Sequence, residues 1–146
     1  MTAEFNEVGF RFLYPENWSV VRDDVAGWPK SVSVHGPDGA FWCINEDQHG
    51  TADDLLAQVI AGVEAEYDEV EVEVIERQVG EQLLTGTQLS FYCLDFLITA
   101  QVLQCSRNDR RLVFLYQAES KDFDKLGGVF DAITFSFLMS IEAADR

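Results

Sequence analysis

The sequence predicts an α+β domain, an antiparallel sheet of about six to eight strands with helices packed on both faces, spanning residues 1–146 as one unit. Three observations carry this. Runs of β-branched and aromatic residues are separated by connections of hairpin length, which favours antiparallel over parallel pairing. Two segments place apolar residues at helical spacing. Several strands are apolar at consecutive positions, as in Phe91-Tyr92-Cys93-Leu94 and Leu112-Val113-Phe114-Leu115-Tyr116, so both faces of the sheet need cover.

In chain order, residues 8–13 and 18–22 are β-prone and flank Pro15-Glu16-Asn17. Proline fixes φ and asparagine tolerates tight geometry, so the stretch reads as strand, turn, strand, with Trp18 in the core. Residues 23–30 form a loop containing Gly27-Trp28-Pro29, residues 31–35 alternate Ser with Val as a third strand, and Gly36-Pro37-Asp38-Gly39 turns into a fourth strand over 40–45. Thr51-Ala52-Asp53-Asp54 resembles a capping box with aspartate in the place of glutamate. Behind it Leu55, Leu56, Val59, Ile60 and Val63 make one helical stripe. From Glu69 the period changes to two: Glu69, Glu71 and Glu73 form a wet face, and Val70, Val72 and Val74 are expected to face the core. Strands over 82–94, 97–107 and 110–119 follow, the last two joined by Asn108-Asp109. Ser120 caps a second helix in which Phe123, Leu126, Phe130 and Ile133 share a face. The Gly127-Gly128 pair inside it costs about 1 kcal/mol per glycine relative to alanine.

The charge excludes more than the motifs reveal. A formal net charge of −16 repels nucleic-acid phosphates and anionic lipid headgroups, and favours a basic protein surface or a cation. The N-terminal stretch has no basic, apolar leader pattern, no run is apolar enough to cross a membrane, and Cys43, Cys93 and Cys105 read as reduced thiols. Together these predict a cytoplasmic protein. No phosphate-binding, zinc-protease or nucleophile-elbow motif occurs. Cys43, His49, Cys93 and Cys105 lack the short paired spacing of a zinc site. Asp95 interrupts FYCLDFLI; as a buried carboxylate it would suit acid–base work, but a turn between two strands is the simpler reading. No catalytic residue, metal ligand or cofactor is predicted.

Binding residues are the better candidates. Between Glu46 and Glu81 stand 12 acids and one base, Arg77. Such a run is a solvated face by default, and Glu69, Glu71 and Glu73 make it a surface that steers a basic partner. Arg107, Arg110 and Arg111 flank one hairpin tip, where they either discourage edge pairing or meet an acidic partner. Trp28, held on its loop by Pro29, reads either as a binding hot spot or as a lid over the core.

Three patterns together resemble the PsbP-like fold family: Tyr-Pro-x-x-Trp at Tyr14 to Trp18, Thr-Ala-Asp-Asp-Leu-Leu at Thr51 to Leu56, and Asp-Phe-(x)6-Phe-Asp-Ala-Ile-(x)2-Ser-Phe at Asp122 to Phe137. That family includes the photosystem extrinsic protein, the Mog-type factor that binds the GTPase Ran, and the bacterial Eag-type secretion chaperones. The resemblance implies an antiparallel sheet sandwiched by helices, and binding instead of catalysis. The missing export signal sets this chain nearer the cytoplasmic, protein-binding branch. The expectation is an adaptor or chaperone, with a homodimer through an edge strand or helix face as a further one. A small-molecule-binding domain or enzyme, with a pocket between sheet and helix, is the alternative.

Overall fold

The computed structural model describes residues 1–7, 9–23, 30–47, 52–107 and 109–144. Trp28 with its loop, His49, Thr51 and Asn108 lie outside the described residues. Within them the chain runs through β1 (Thr2–Glu7), β2 (Phe10–Pro15), β3 (Ser19–Asp23), β4 (Lys30–His35), a single 3-10 turn (Pro37–Gly39), β5 (Phe41–Asp47), α1 (Ala52–Glu66), β6 (Glu71–Val79), β7 (Gln82–Cys93), β8 (Phe96–Arg107), β9 (Arg110–Glu119) and α2 (Ser120–Ala144). Strands β3 to β9 form one sheet in the order β3-β4-β5-β9-β8-β7-β6, every neighbour antiparallel, and β1 pairs with β2 as a separate hairpin.

Period-two alternation sorts the strand residues onto two faces. Trp42, Ile44, Leu103, Leu112, Phe114 and Tyr116 face one side, beneath α2 (Phe123, Phe130, Ile133, Phe137) and the β1–β2 hairpin (Phe5, Phe10, Phe12). Leu89, Phe91, Ala100, Val102 and Val113 face the other, beneath Leu56, Val59, Ile60 and Val63 of α1. The helices thus cover opposite faces, as the sequence predicts. A two-stranded hairpin is marginal alone; burying its three phenylalanines, at roughly 1.5–3 kcal/mol each, holds it to the sheet.

The opening strands pair differently from the expectation. Residues 10–15 pair backwards with Thr2–Glu7, and residues 19–23 pair forwards with β4. The turn at Pro15-Glu16-Asn17 exists, with the Trp18 amide donating to the Pro15 carbonyl at 3.0 Å, but it carries the chain from the hairpin layer down into the sheet. Strand β1 buries only Phe5, so its sequence gives too weak an alternation to announce a strand. Trp18 is buried as expected. Its indole lies so close over Gly36 that any side chain there would collide with it, and it meets Phe130 edge-on at 6.0 Å.

A polar chain runs through the interface between α2 and the sheet. Arg77, on β6, grips Asp131 of α2 with Nε at 2.6 Å and Nη2 at 2.9 Å, and donates through Nη1 to Gln101 at 3.2 Å. Its guanidinium also lies over the Tyr116 ring, 5.4 Å from the centroid. Tyr116 Oη approaches Asp131 at 3.4 Å and Thr134 Oγ1 at 2.6 Å, and Thr134 accepts from Trp42 Nε1 at 2.8 Å. Burial holds the Tyr116 hydroxyl well above the usual phenol range, so it works as a neutral hydrogen-bonding group. The bidentate bond to Asp131 raises Arg77 further. Gly127 leaves room for this fork: its carbonyl accepts from Arg77 Nη2 at 3.5 Å, and a Cβ there would stand 3.1 Å from that nitrogen. The helix tolerates Gly127 because a side chain would crowd the Arg77 grip.

Trp18→Ala is expected to cost about 3–5 kcal/mol, the transfer energy plus the cavity left between Gly36 and Phe130, read from denaturant midpoints at constant m. Asp131→Ala strands a half-buried guanidinium and is expected to cost about 1–3 kcal/mol. The double change Arg77→Met with Asp131→Leu is expected to recover part of that loss, which a double-mutant cycle measures.

Candidate functional site

Strand β6 is one of the two outer strands of the sheet, pairing with β7 alone. Its C-terminal half is tied down by Ile75, Arg77 and Val79, which face α2. Its N-terminal half runs beyond both helices, and Glu71, Val72, Glu73 and Val74 are all exposed. Here the structure corrects an expectation: only Val70 packs against the α1-side core, while Val72 is 51% and Val74 86% exposed. The alternation is real, but α1 sits mainly over β8 and β9, and Val72 and Val74 are left largely uncovered. Glu71 and Glu73 therefore line one face of a free strand edge and Val72 and Val74 the other. Glu69 sits in the turn that leads in, at φ 54°. The β7 partners of the two strand glutamates are Ser90 and Gln88, neutral side chains that offer no counter-charge.

The same end of the sheet carries an apolar tip. Strands β7 and β8 are closed by Leu94 and Asp95, with Leu94 at φ 57°, an uncommon conformation for a bulky residue. Asp95 is exposed in this turn, as the simpler reading has it. Tyr92 is 64%, Leu94 89% and Phe96 53% exposed. Cross-strand pairing sets Ser90 opposite Glu71, two residues along β7 from Tyr92, so tip and acidic edge form one continuous corner. The alternating Glu-Val pattern gives the strand and its wet face but not its place at the edge, and the turn read at Leu94-Asp95 does not tell that the apolar residues flanking it, Tyr92 and Phe96, are exposed.

The three arginines do not form one patch. Arg107 and Arg110 are cross-strand partners facing the α2 side, and Arg111 faces the other. Arg110 is committed to structure: it grips the buried Glu46 at 2.8 and 2.9 Å, donates to the Gly9 carbonyl at 3.2 Å and lies over Phe137. It thereby ties the turn of the β1–β2 hairpin, β5 and α2 together. Arg107 donates to Gln82 at 3.4 Å, and Arg111 is exposed. The cysteines are also dispersed: Cys43, beside Ser31 and Asn45, and Cys105, in the core under α2, face opposite sides of the sheet. Among the described residues no three His, Cys, Asp or Glu side chains converge on a metal-sized site.

A second surface lies between the hairpin and α2. An apolar groove of about 790 Å³ runs between β2 (Leu13, Tyr14) and the outward side of α2 (Gly128, Ala132, Phe135, Met139). Leu13 is fastened across it by its amide donating to Ser136 Oγ at 2.9 Å. The sequence showed the buried stripe of α2 but not this outer one, which begins with glycine and alanine.

No family profile and no curated protein matches the sequence. The solution structure of CyanoP, the cyanobacterial PsbP of Synechocystis, superposes with a TM-score of 0.57 over 92% of this chain and 90% of its own, at 18% identity. The chain carries the PsbP-like fold. A Pseudomonas aeruginosa protein of unknown function, PA94, matches over 92% of this chain and 94% of its own with a TM-score of 0.49 and 8% identity. LpqN, involved in cell envelope biogenesis in Mycobacterium tuberculosis, matches over 91% and 87% with a TM-score of 0.44 and 10% identity. The resemblance read from the three sequence patterns thus holds at the level of fold, which fixes no site by itself.

Among the thiols, burial pushes Cys105 up to about 11, with Arg107 opposing in part. A folded-state value above the ordinary thiol range means the folded chain holds this proton longer than the unfolded one, so Cys105 favours folding most below about pH 8.5. Stability is expected to fall between about pH 8.5 and 11, and Cys105→Ala is expected to flatten that slope in denaturation curves collected across the range.

Proposed function

We propose that this chain is a non-enzymatic protein-binding module of the adaptor or chaperone kind, acting in the cytoplasm on a partner with a basic surface. The observation that carries the reading is the corner where the acidic edge of β6 meets the apolar tip of β7 and β8. A free edge supplies backbone hydrogen-bonding groups for an added strand. Glu71 and Glu73 select cations on one face of that strand, and Val72 and Val74 select apolar side chains on the other. Tyr92 and Phe96 supply rigid aromatic contact area, the residue type on which binding energy concentrates. The partner segment that fits is extended and alternates Lys or Arg with β-branched residues. The same glutamates disfavour a second copy of the strand, which would set acid against acid. Trp28 and Arg111 remain candidate outer contacts in this reading, with Glu69 at the entry to the edge.

The small-molecule alternative draws on the groove between β2 and α2, whose volume lies in the range of ligand pockets. Its charged rim residues, Glu4 and Arg11, are bonded to each other at 2.7 Å, and Asp95 lies on the β7–β8 tip and is not part of its lining. The charged groups on the groove's lining are thus satisfied by each other and not turned toward a ligand.

Changing Glu69, Glu71 and Glu73 together to Gln is expected to move stability by no more than about 0.5 kcal/mol. Immobilised wild-type protein is expected to retain basic partners from native extract at low salt and release them at high salt. The triple variant and Val74→Lys are expected to lose the same partners. For a partner so identified, stopped-flow association of the triple variant is expected to be slower and less salt-dependent, with dissociation less affected. Undiminished capture by both variants would sink the reading.

A further inference from the structure

We infer that the outer side of α2 is a self-complementary dimer surface, packing antiparallel against α2 of a second copy about a twofold axis. Helix α2 carries two apolar stripes. The buried one packs on the sheet; the other, Gly128, Ala132, Phe135 and Met139, is exposed, with Phe135 and Met139 each at 46%. The spacing of this outer stripe is four, three, four, and it reads the same in both directions. An antiparallel copy therefore meets it position for position, Gly128 against Met139 and Ala132 against Phe135. The stripe is small at one end and large at the other, so reversal sets each large side chain over a small one, as knobs into holes. Such a surface is what an isologous contact demands.

Two local features prepare it. A side chain at Gly128 would meet nothing within 4 Å, so an open hollow waits opposite Met139 of the second copy. Phe135 is held in place from behind: the turn after β6 carries Gly80 at φ 59°, and its backbone lies so close under the Phe135 ring that any side chain would collide with it. The occupant is argued from charge as well. On a chain of net charge −16, the lining of this groove has one acid and one base, Glu4 and Arg11, paired with each other. Within the groove lining self-association brings no unpaired charges together, and what opposes it is the long-range repulsion of two acidic chains, which salt screens. The acidic corner at β6 has the opposite character, so the two surfaces respond to salt with opposite sign.

The test is sedimentation equilibrium of the full chain over about 10–500 µM, where small interfaces are read. The expected result is a monomer–dimer equilibrium that tightens as sodium chloride rises. Phe135→Asp and, independently, Met139→Lys are expected to weaken it by at least about tenfold, with circular dichroism unchanged, while Val74→Lys leaves it unaltered. Register is read by mixing Gly128→Cys protein with Met139→Cys protein under mild oxidation and mapping disulfides by mass spectrometry. The mixed 128–139 cross-link is expected. The 139–139 cross-link is not, because those positions stand about 16 Å apart along antiparallel helices. A monomer at every concentration and salt, a dimer indifferent to both substitutions, or a 139–139 cross-link dominating the mixture would each overturn the inference. Loss of the β6 reading leaves all three readouts unchanged, so the two fail separately.

Discussion

The guanidinium of Arg77 holds the α2 layer in place. Hydrophobic burial brings α2 onto the sheet but is non-directional, and Phe123, Phe130, Ile133 and Phe137 would accept small rotations about the helix axis. The bidentate grip on Asp131, with Gln101 behind it and Tyr116 beneath, allows only one. Thr134, one turn on, fixes the same rotation independently through Trp42 and Tyr116. Both ends of this polar chain are satisfied, so burying it does not leave an uncompensated charge. Once α2 is locked, its outer stripe points outward and the C-terminal half of β6 is stapled to the helix. The N-terminal half of β6 is left to project past it.

Arg110 does for the hairpin what Arg77 does for the helix. Glu46 is nearly fully buried, and its carboxylate is held by two nitrogens of one guanidinium. The remaining reach of Arg110 goes to the Gly9 carbonyl in the turn of the β1–β2 hairpin. An acid counted in the acidic run and a base counted as a docking residue are thus partners in the architecture. Among the described residues, the stretch from Glu69 into the first half of β6, as far as Val74, shows no such tie.

Much of the fold was legible because it rests on periodicity. Period two marked β4 and β6, turn signals between apolar β-prone runs marked the other strands, and period 3.6 marked the buried stripes of both helices, since a side chain that must face a core repeats with its backbone. Position within the sheet was not legible. The run from Val70 to Val74 alternates as any half-buried strand does, and nothing in it says that α1 stops short of it. The hairpin of β1 and β2 hides in the sequence for a related reason: with Phe5 alone buried, β1 has no alternation to display, and Phe10 and Phe12 read as pairing downstream. The Arg77 grip left one trace, a single base in a run of 12 acids, set on the same strand parity as Ile75 and Val79. Gly127 left another, a helix-weakening residue where only closeness to Arg77 explains it. The outer stripe of α2 left almost none, because glycine and alanine carry too little hydrophobicity to register as a face.

The two exposed surfaces are joined by one short stretch of chain. Within five residues, Arg77 anchors α2, Gly80 supports Phe135 and Glu81 begins the return into β7. Edge and stripe are therefore tied to one another through this short stretch of chain. The twofold dimer proposed through α2 would present two acidic edges related by symmetry. A single edge of a few residues binds an extended basic segment weakly, because ordering that segment consumes most of the contact energy. Two edges at fixed spacing turn the second contact into an intramolecular event and raise avidity by orders of magnitude for a partner that carries two such segments or is itself a dimer. The proposed self-association and the proposed edge binding, each weak alone, would then be two parts of one selective interaction.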